Sequence, residues 1–370
     1  MGNILQIVPH APGTYEAVGH YALTLAERLA TTFERETVFA AFPSASSQVN
    51  GFQILSPLAT LSEHEILERD CEHLILHYVN YGYHDRGIPF WLVATVRRLR
   101  HLCRGRFLTI FHEVYASGPP WKSEFWLQPF QIHIARQLAR LADTCIVSDP
   151  VSRARVLRLH PRGAVSTQPV FSNFGEPEFS GNQLRGRDPH RWVICGGTHL
   201  IERSLRSFRE RLAVIPARCQ PHELFVVGGS DNAAVRQTLE NLPEVKSFYF
   251  PQTSVARASE VLSSCAWGFI DYFHRRDVET AMILKSGSFA ACCAHGVIPV
   301  FPHPGSTISL NDDSLPGPYY IDANRLDLPS NGPDVAEAIH AWYWRRASSE
   351  HLAQTVALAL GLVTIGDACP

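Results

Sequence analysis

Short apolar runs alternate along this chain with longer stretches whose apolar positions recur every three or four residues. Ile4 to Val8 is the first run, and the positions Val18, Tyr21, Ala22, Leu25 and Leu29 behind it share one helical face. Further strands are predicted at Thr37 to Ala41, 51–55, 73–79, Phe107 to Phe111 and Thr144 to Val147, with helices near 62–69, 88–102 and 131–141. The pattern then repeats. Strands are predicted at 192–195, 223–227, 248–250, 266–270 and 297–301, with a helix carrying Leu205 and Phe208 and a helical tail over 334–360. Alternation of this kind predicts parallel, doubly wound α/β sheets. Proline, glycine and charge accumulate at 175–189, which places the linker there. The expected domains are 1–178 and 190–345, with 346–370 a terminal helix returning toward the first.

Ligands of an open parallel sheet sit at the carboxyl ends of its strands, and several predicted strands end there in residues that packing alone explains poorly. Gly13 follows the first strand, His112 and Glu113 follow Phe111, Ser148 follows Val147, Gly196 and Gly197 follow Cys195, and Phe250 ends the run at 248–250. The most informative stretch runs from Leu284 to Phe301. It reads as a polar Lys285-Ser286-Gly287-Ser288 turn, one short helix of small residues, a stop at His295-Gly296 and a buried strand. Such a turn leaves the N–H groups of Gly287, Ser288 and Phe289 at a helix start, where the backbone dipole and the Lys285 ammonium both favour a phosphate. An ordinary helix between two strands is the plainer reading of the same residues.

Lys285-Ser286-Gly287-Ser288-Phe289-Ala290-Ala291, followed four residues later by Gly296-Val297-Ile298-Pro299-Val300, resembles the donor-diphosphate helix of GT-B glycosyltransferases. In particular it is similar to a branch of the retaining, family 4-like enzymes in which a basic Gly-Ser turn replaces an acidic motif. That motif has two glutamates eight positions apart; Ile283 and Ala291 stand in their places here. The resemblance implies two Rossmann-like domains facing a cleft, with the terminal helix packing back across both. It further implies a nucleoside-diphosphate sugar, with uridine or guanosine as base, bound mainly by the second domain. A saccharide, lipid-linked or small-molecule acceptor would lie mainly on the first, and the transfer would be retaining and metal-independent.

By the same resemblance, Gly13 belongs to the amino-terminal glycine loop with Thr14, and His112 faces the donor sugar. Glu113 orients His112, binds acceptor or is a surface carboxylate. Gly197 stands where the family carries an arginine, and Arg203 fits the place of its lysine, as a phosphate clamp or a solvated helix-start arginine. Phe250 is a base contact or a core aromatic. Lys285, Ser286, Gly287 and Ser288 hold the diphosphate. The charged loop 271–279 is a donor-sugar candidate, with Arg275 and Arg276 toward phosphate and Asp271 and Glu279 toward hydroxyls. An epimerase or a phosphorylase on the same fold is one alternative, and a non-catalytic sugar-nucleotide or partner-binding protein, suggested by the missing glutamates and the missing arginine at Gly197, is the other.

Composition narrows the partners. With 33 basic and 35 acidic residues in 370, the net charge of −2 is no nucleic-acid signature. Nine scattered cysteines without a Cys-x-x-Cys suggest reduced, buried thiols in a cytosolic protein, and no metal site is expected at Cys292, Cys293 and His295. The amino terminus enters a strand directly, so export is not expected. Arg97, Arg98, Arg100, Arg104 and Arg106 beside Trp91, Leu92 and Val96 make the predicted helix from Pro89 basic and amphipathic. Such a helix is either a solvated face or a peripheral contact with the inner membrane face. The loop 115–129, with Trp121, Phe125 and Trp126, suits carbohydrate or lipid contact, or closes a core. The oligomeric state is not legible. Glycine-rich dinucleotide, P-loop and nucleophile-elbow motifs are absent from the sequence.

Overall fold

The computed structural model describes residues 2–13, 17–42, 48–242, 244–273 and 278–363. It divides into two compact units, Met1–Gln168 with Ser349–Pro370, and Pro169–Ser348. In the first unit the strands β1 (Asn3–Val8), β2 (Thr37–Ala41), β3 (Gln48–Val49), β4 (Phe52–Ile54), β5 (Cys71–Tyr78), β6 (Phe107–Phe111), β7 (Thr144–Val147) and β8 (Ala164–Thr167) form one sheet. Their order is β3-β4-β2-β1-β5-β6-β7-β8, parallel except for the short β3–β4 pair. The helices α1 (Ala17–Phe33), α2 (Glu63–Glu68), α3 (Asn80–Tyr83), α4 (Phe90–Leu102), α5 (Ser123–Leu141) and α6 (Pro150–Leu157) lie in the connections. Every residue of β2 and of β6 is buried, as expected of strands covered on both faces. Chain order reverses between β1 and β5, which makes that boundary the topological switch point.

The second unit begins with α7 (Gly181–Arg185) and builds its sheet from β9 (Arg191–Cys195), β10 (Glu223–Val227), β11 (Lys246–Phe250), β12 (Trp267–Phe269) and β13 (Ile298–Phe301). The small β14 (Ser309–Leu310) and β15 (Asp313–Ser314) pair with each other, and β16 (Tyr319–Ile321) and β17 (Leu326–Asp327) extend the main sheet to β11-β10-β9-β12-β13-β16-β17. The crossovers are α8 (Thr198–Arg211), α9 (Ala233–Glu240), α10 (Val255–Ser263) and α11 (Gly287–Ala294), and α12 (Gly332–Arg346) closes the unit. Its switch point lies between β9 and β12. Beneath it Trp192 and Trp267 stack with centroids 5.6 Å apart, and the buried Trp192 indole donates to Cys219 O at 2.9 Å. The last helix, α13 (Ser349–Leu360), packs on α1 and β6 of the first unit.

Three elements differ from expectation. Helix α5 starts at Ser123 and absorbs Pro129, so Phe125 and Trp126 stand on a helix and not in a loop. The proline had suggested a start after it, but Ser123 and Glu124 already supply a first turn with an acidic residue. Helix α4 stops at Leu102, since Cys103 is extended and Gly105 follows, so Arg104 and Arg106 lie beyond it. The tail is two helices, because the Ala347 and Ser348 N–H groups both turn back to Tyr343 O. Among the described residues the cysteines are buried and unpaired.

Helix α11 lies within the core: every residue from Ser288 to Ala294 is buried. His295 ends it, with Nδ1 2.8 Å from Ala291 O and Nε2 2.9 Å from the Ser259 hydroxyl. A carbonyl only accepts, so Nδ1 carries the proton and Nε2 accepts from Ser259. Burial pushes the His295 pKa down to about 4, from about 6.5 in an unfolded chain. The folded state therefore holds His295 neutral, and its stabilisation is complete above pH ~6.5 and lost as pH falls toward ~4. Denaturant unfolding of the second unit between these values should show a decline of which His295 supplies on the order of 3 kcal/mol. His295→Gln should flatten that slope; an unchanged slope would count against a neutral His295.

Candidate functional site

The loops at the carboxyl edge of the second sheet converge on the start of α11. Gly196 has φ of +137°, and a Cβ there would overlap Ser288 Oγ. A Cβ on Gly228, at the end of β10, would come within 2.7 Å of Gly196 O. Only glycines permit this approach. Thr198 Oγ1 accepts from Ser230 N–H at 2.8 Å, and Cys195 Sγ lies 3.7 Å from Ser288 O, so the β9 and β10 loops and the α11 turn form one assembly. Gly197 differs from its neighbour: its φ is an ordinary −75°, and an added Cβ would meet nothing within 4 Å.

Ser286 is the N-cap of α11, its hydroxyl accepting from Phe289 N–H at 3.3 Å. Phe289 N–H is thus not available to a ligand, contrary to expectation, because a serine at this position supplies its own acceptor. The Gly287 and Ser288 N–H groups make no hydrogen bond to another described residue. Lys285, half-buried at the end of the 3₁₀ turn 280–285, has no ion pair or hydrogen bond among the described residues. Asn173 lies beside Gly287, with its amide 3.1 Å from where a Cβ would stand. The segment carrying it is anchored by Val170 N–H to Leu284 O at 3.0 Å and by Tyr343, whose hydroxyl accepts from Ser172 N–H at 2.8 Å and donates to Glu176 at 2.6 Å.

Arg203 directs Nε to Asp271 O at 2.6 Å and Nη2 to Tyr272 O at 3.5 Å, so it holds the β12 exit loop. Its Nη1 makes no hydrogen bond among the described residues. The buried Asp271 carboxylate is bound by the Ser207 hydroxyl and lies 3.7 Å from Arg203 Nε. Phe250 ends β11 half-buried under the Arg257 guanidinium, 5.2 Å from its centroid. Arg275 and Arg276 lie outside the described residues, as does Thr14. Ile283 and Ala291 are fully buried. Glutamates substituted there would place carboxylates in the core of this chain.

At the switch point of the first unit a chain of polar groups crosses three strands. Gln6 on β1 and His77 on β5, both fully buried, meet with Oε1 2.7 Å from His77 Nε2, and His77 Nδ1 is 3.1 Å from Nε2 of the half-buried His112. With the Gln6 amide oriented so that Oε1 accepts, Nε2–H of His77 donates to it and His77 Nδ1 accepts from His112 Nε2–H, while Gln6 Nε2 has no partner among the described residues. Burial, reinforced by His112, holds the His77 pKa well below the ordinary imidazole value. Tyr21 on α1 stands edge-on to both rings, with centroids 4.8 Å from His112 and 5.9 Å from His77, and burial pushes its hydroxyl pKa up. Glu113 is exposed, and its side chain has no partner among the described residues, so His77 and not Glu113 orients His112. Gly13 has φ of +88° and abuts Val49, so its own turn requires glycine.

Sequence reasoning passed over Gln6 and His77. The available signal was two polar residues inside the apolar runs Ile4 to Val8 and Leu74 to Tyr78. A cavity of about 380 Å³ lined by Asn3, Glu36, Asn50 and Arg69 opens at the amino ends of β1 and β2, opposite the edge where ligands of a parallel sheet sit. Among the described residues no His, Cys, Asp and Glu group has the arrangement of a metal site.

No family model matches this chain, and no curated protein matches it by sequence. Solved structures do match. One is an alpha-glucosyltransferase in complex with UDP-glucose and DNA containing an abasic site: 12% identity, 97% of this chain, 99% of that chain, TM-score 0.55. Another is AviGT4, a glycosyltransferase involved in Avilamycin A biosynthesis: 11% identity, 97% of each chain, TM-score 0.53. A third is the N-terminal domain of trehalose-6-phosphate phosphatase from Candida albicans: 11% identity, 98% of this chain, 97% of that chain, TM-score 0.58. Likeness at this identity shows the fold, and the fold is GT-B, with two Rossmann-like units.

Gly196→Ala should cost about 1–3 kcal/mol of stability, since it combines an unfavourable φ with overlap at Ser288. The corresponding drop in melting temperature should be absent in Gly197→Ala, whose Cβ meets open space; equal losses would refute the described packing. His77→Leu should cost a similar ~1–3 kcal/mol by leaving Gln6 unpartnered, measured by denaturant unfolding.

Proposed function

We propose that this protein transfers a sugar from a nucleoside-diphosphate sugar to an acceptor. The observation that carries this reading is the start of α11. Two uncommitted backbone N–H groups at Gly287 and Ser288 and the unpaired Lys285 ammonium stand beside the glycine loops at a sheet switch point. A helix start with an adjacent cation is built to receive an anion. Gly197 adds to it, because the chain itself does not require glycine there, and a bound ligand gives the missing side chain a reason. Glycosyl transfer and UDP-glucose named for structures of the same fold agree with this reading.

The chemical task is to part a diphosphate from an anomeric carbon. Lys285, the two N–H groups and Nη1 of Arg203 would stabilise the negative charge that grows on the leaving diphosphate, without a metal. Ser286 contributes by capping and so fixing the turn. By the family resemblance, His112 is the proposed contact to the donor sugar and Glu113 the proposed contact to the acceptor. Uridine or guanosine diphosphate is the proposed carrier, with Phe250 against the base, and retention of configuration is the proposed stereochemical course. Cores at Ile283 and Ala291 leave the sugar and ribose hydroxyls to other groups, of which Asn173 is the nearest to the turn.

Thermal stabilisation by a panel of nucleoside diphosphates and their sugars tests the donor site directly. A selective rise equivalent to about 2.7 kcal/mol at a hundredfold excess over Kd is expected, and Lys285→Ala should abolish it while melting normally in the absence of ligand. In turnover assays the same variant should lose on the order of 100-fold in kcat/KM. Wild-type turnover in Lys285→Ala would overturn the assignment.

A further inference from the structure

We propose that the outer face of α4 and α5 docks on an anionic lipid bilayer. Phe90, Trp121, Phe125, Trp126 and Phe130 are all exposed, Trp121 at 83% and Trp126 at 67%. Phe90 at the start of α4 touches both Phe130 and His133 of α5, with centroids 6.3 and 6.5 Å away, so the two helices present one surface. Apart from Tyr81, the other exposed large apolar residues, such as Leu67, Leu157 and Val214, are aliphatic and scattered. Scattered ones need no explanation; a cluster of aromatic rings in water does.

Charge selects the partner. Residues 86–141 carry nine basic and two acidic side chains, within a chain whose total charge is −2. Lys122, Arg97, Arg104 and Arg140 are exposed and have no carboxylate partner among the described residues. The aromatic rings gather at the amino-terminal ends of the two helices, while Arg97 and Arg140 stand about two or more turns further along their helices. Rings gathered near Lys122, with Arg97 and Arg140 further along, suit a bilayer, where aromatics settle among the headgroups and long basic side chains reach phosphates. A single-stranded nucleic acid would call for cations and rings interleaved along one groove, and the core of a self-interface would be poor in charge. No helix among the described residues is long and apolar enough to cross a membrane, so the contact lies on the surface.

This inference rests on exposure and charge and not on the donor site, so either can fail without the other. The test is cosedimentation of the full chain with vesicles of phosphatidylcholine alone or mixed with phosphatidylglycerol. Binding is expected only to the anionic vesicles, and it should weaken at high salt. Arg97→Gln and Arg140→Gln should each lower partitioning by about fivefold, and Trp121→Ser with Trp126→Ser by at least about tenfold, with melting temperatures unchanged. Absence of vesicle binding, or equal binding to neutral and anionic vesicles, would overturn the proposal. So would tight binding of a single-stranded oligonucleotide, or self-association in sedimentation velocity, that the same substitutions abolish while vesicle binding persists.

Discussion

The second unit depends on how closely backbone can approach backbone at the carboxyl edge of its sheet. Parallel strands deliver their loops to one edge, and there the β9 loop at Gly196 meets the β10 loop at Gly228 and the first turn of α11 at Ser288. No side chain fits between them. The approach brings a helix start, with its unfulfilled N–H groups, against two glycine loops, and Ser286, Thr198 and the Tyr343 hydroxyl hold the arrangement from different sides. Its chemistry follows from the backbone more than from any side chain. Lys285 adds the charge, but the direction of the site is set by the axis of α11.

The first unit solves a different problem at its own switch point. It places polar groups inside a largely apolar sheet, where leaving one without a partner is costly. Gln6 Oε1, His77 and His112 join in a chain that crosses from β1 to β5 to the end of β6, while Gln6 Nε2 and the Thr37 and Thr109 hydroxyls have no partner among the described residues. Burial keeps His77 neutral, and neutrality makes the pair directional: one ring donates, the other accepts. The consequence reaches the edge of the unit, because the proton arrangement of the buried ring dictates the hydrogen-bond role of His112 Nε2. His295 in the second unit uses the same device for structure alone, closing α11 between Ala291 and Ser259.

Ile283 and Ala291, which the sequence resemblance aligns with two glutamates, both face the core of this chain. A helix as buried as α11 tolerates small and apolar side chains only, and the polar groups of this stretch lie in the turn before it, with Lys285. Arg203 shows the complementary case. Its guanidinium is drawn to the carbonyls of Asp271 and Tyr272, which makes it a brace for the β12 loop as well as a phosphate candidate.

By itself the sequence determined the alternation of strands and helices, the doubly wound class, and the turn from Lys285 to Ser288, because periodicity and glycine and serine chemistry act over a few residues. It also placed His112 at a strand end. It did not reveal Gln6 and His77, whose role arises from the register of β1, β5 and β6 and is invisible along the chain. Nor did it show that Phe289 N–H is capped, that Arg203 braces Asp271, or that α5 begins six residues before Pro129. Phe125 and Trp126 look in sequence like any loop aromatics; only their exposure beside Phe90 and Phe130 separates a surface from a core. Local propensity writes the elements, whereas pairing register and burial, which join residues far apart in the chain, decide which polar groups meet and which rings remain in water.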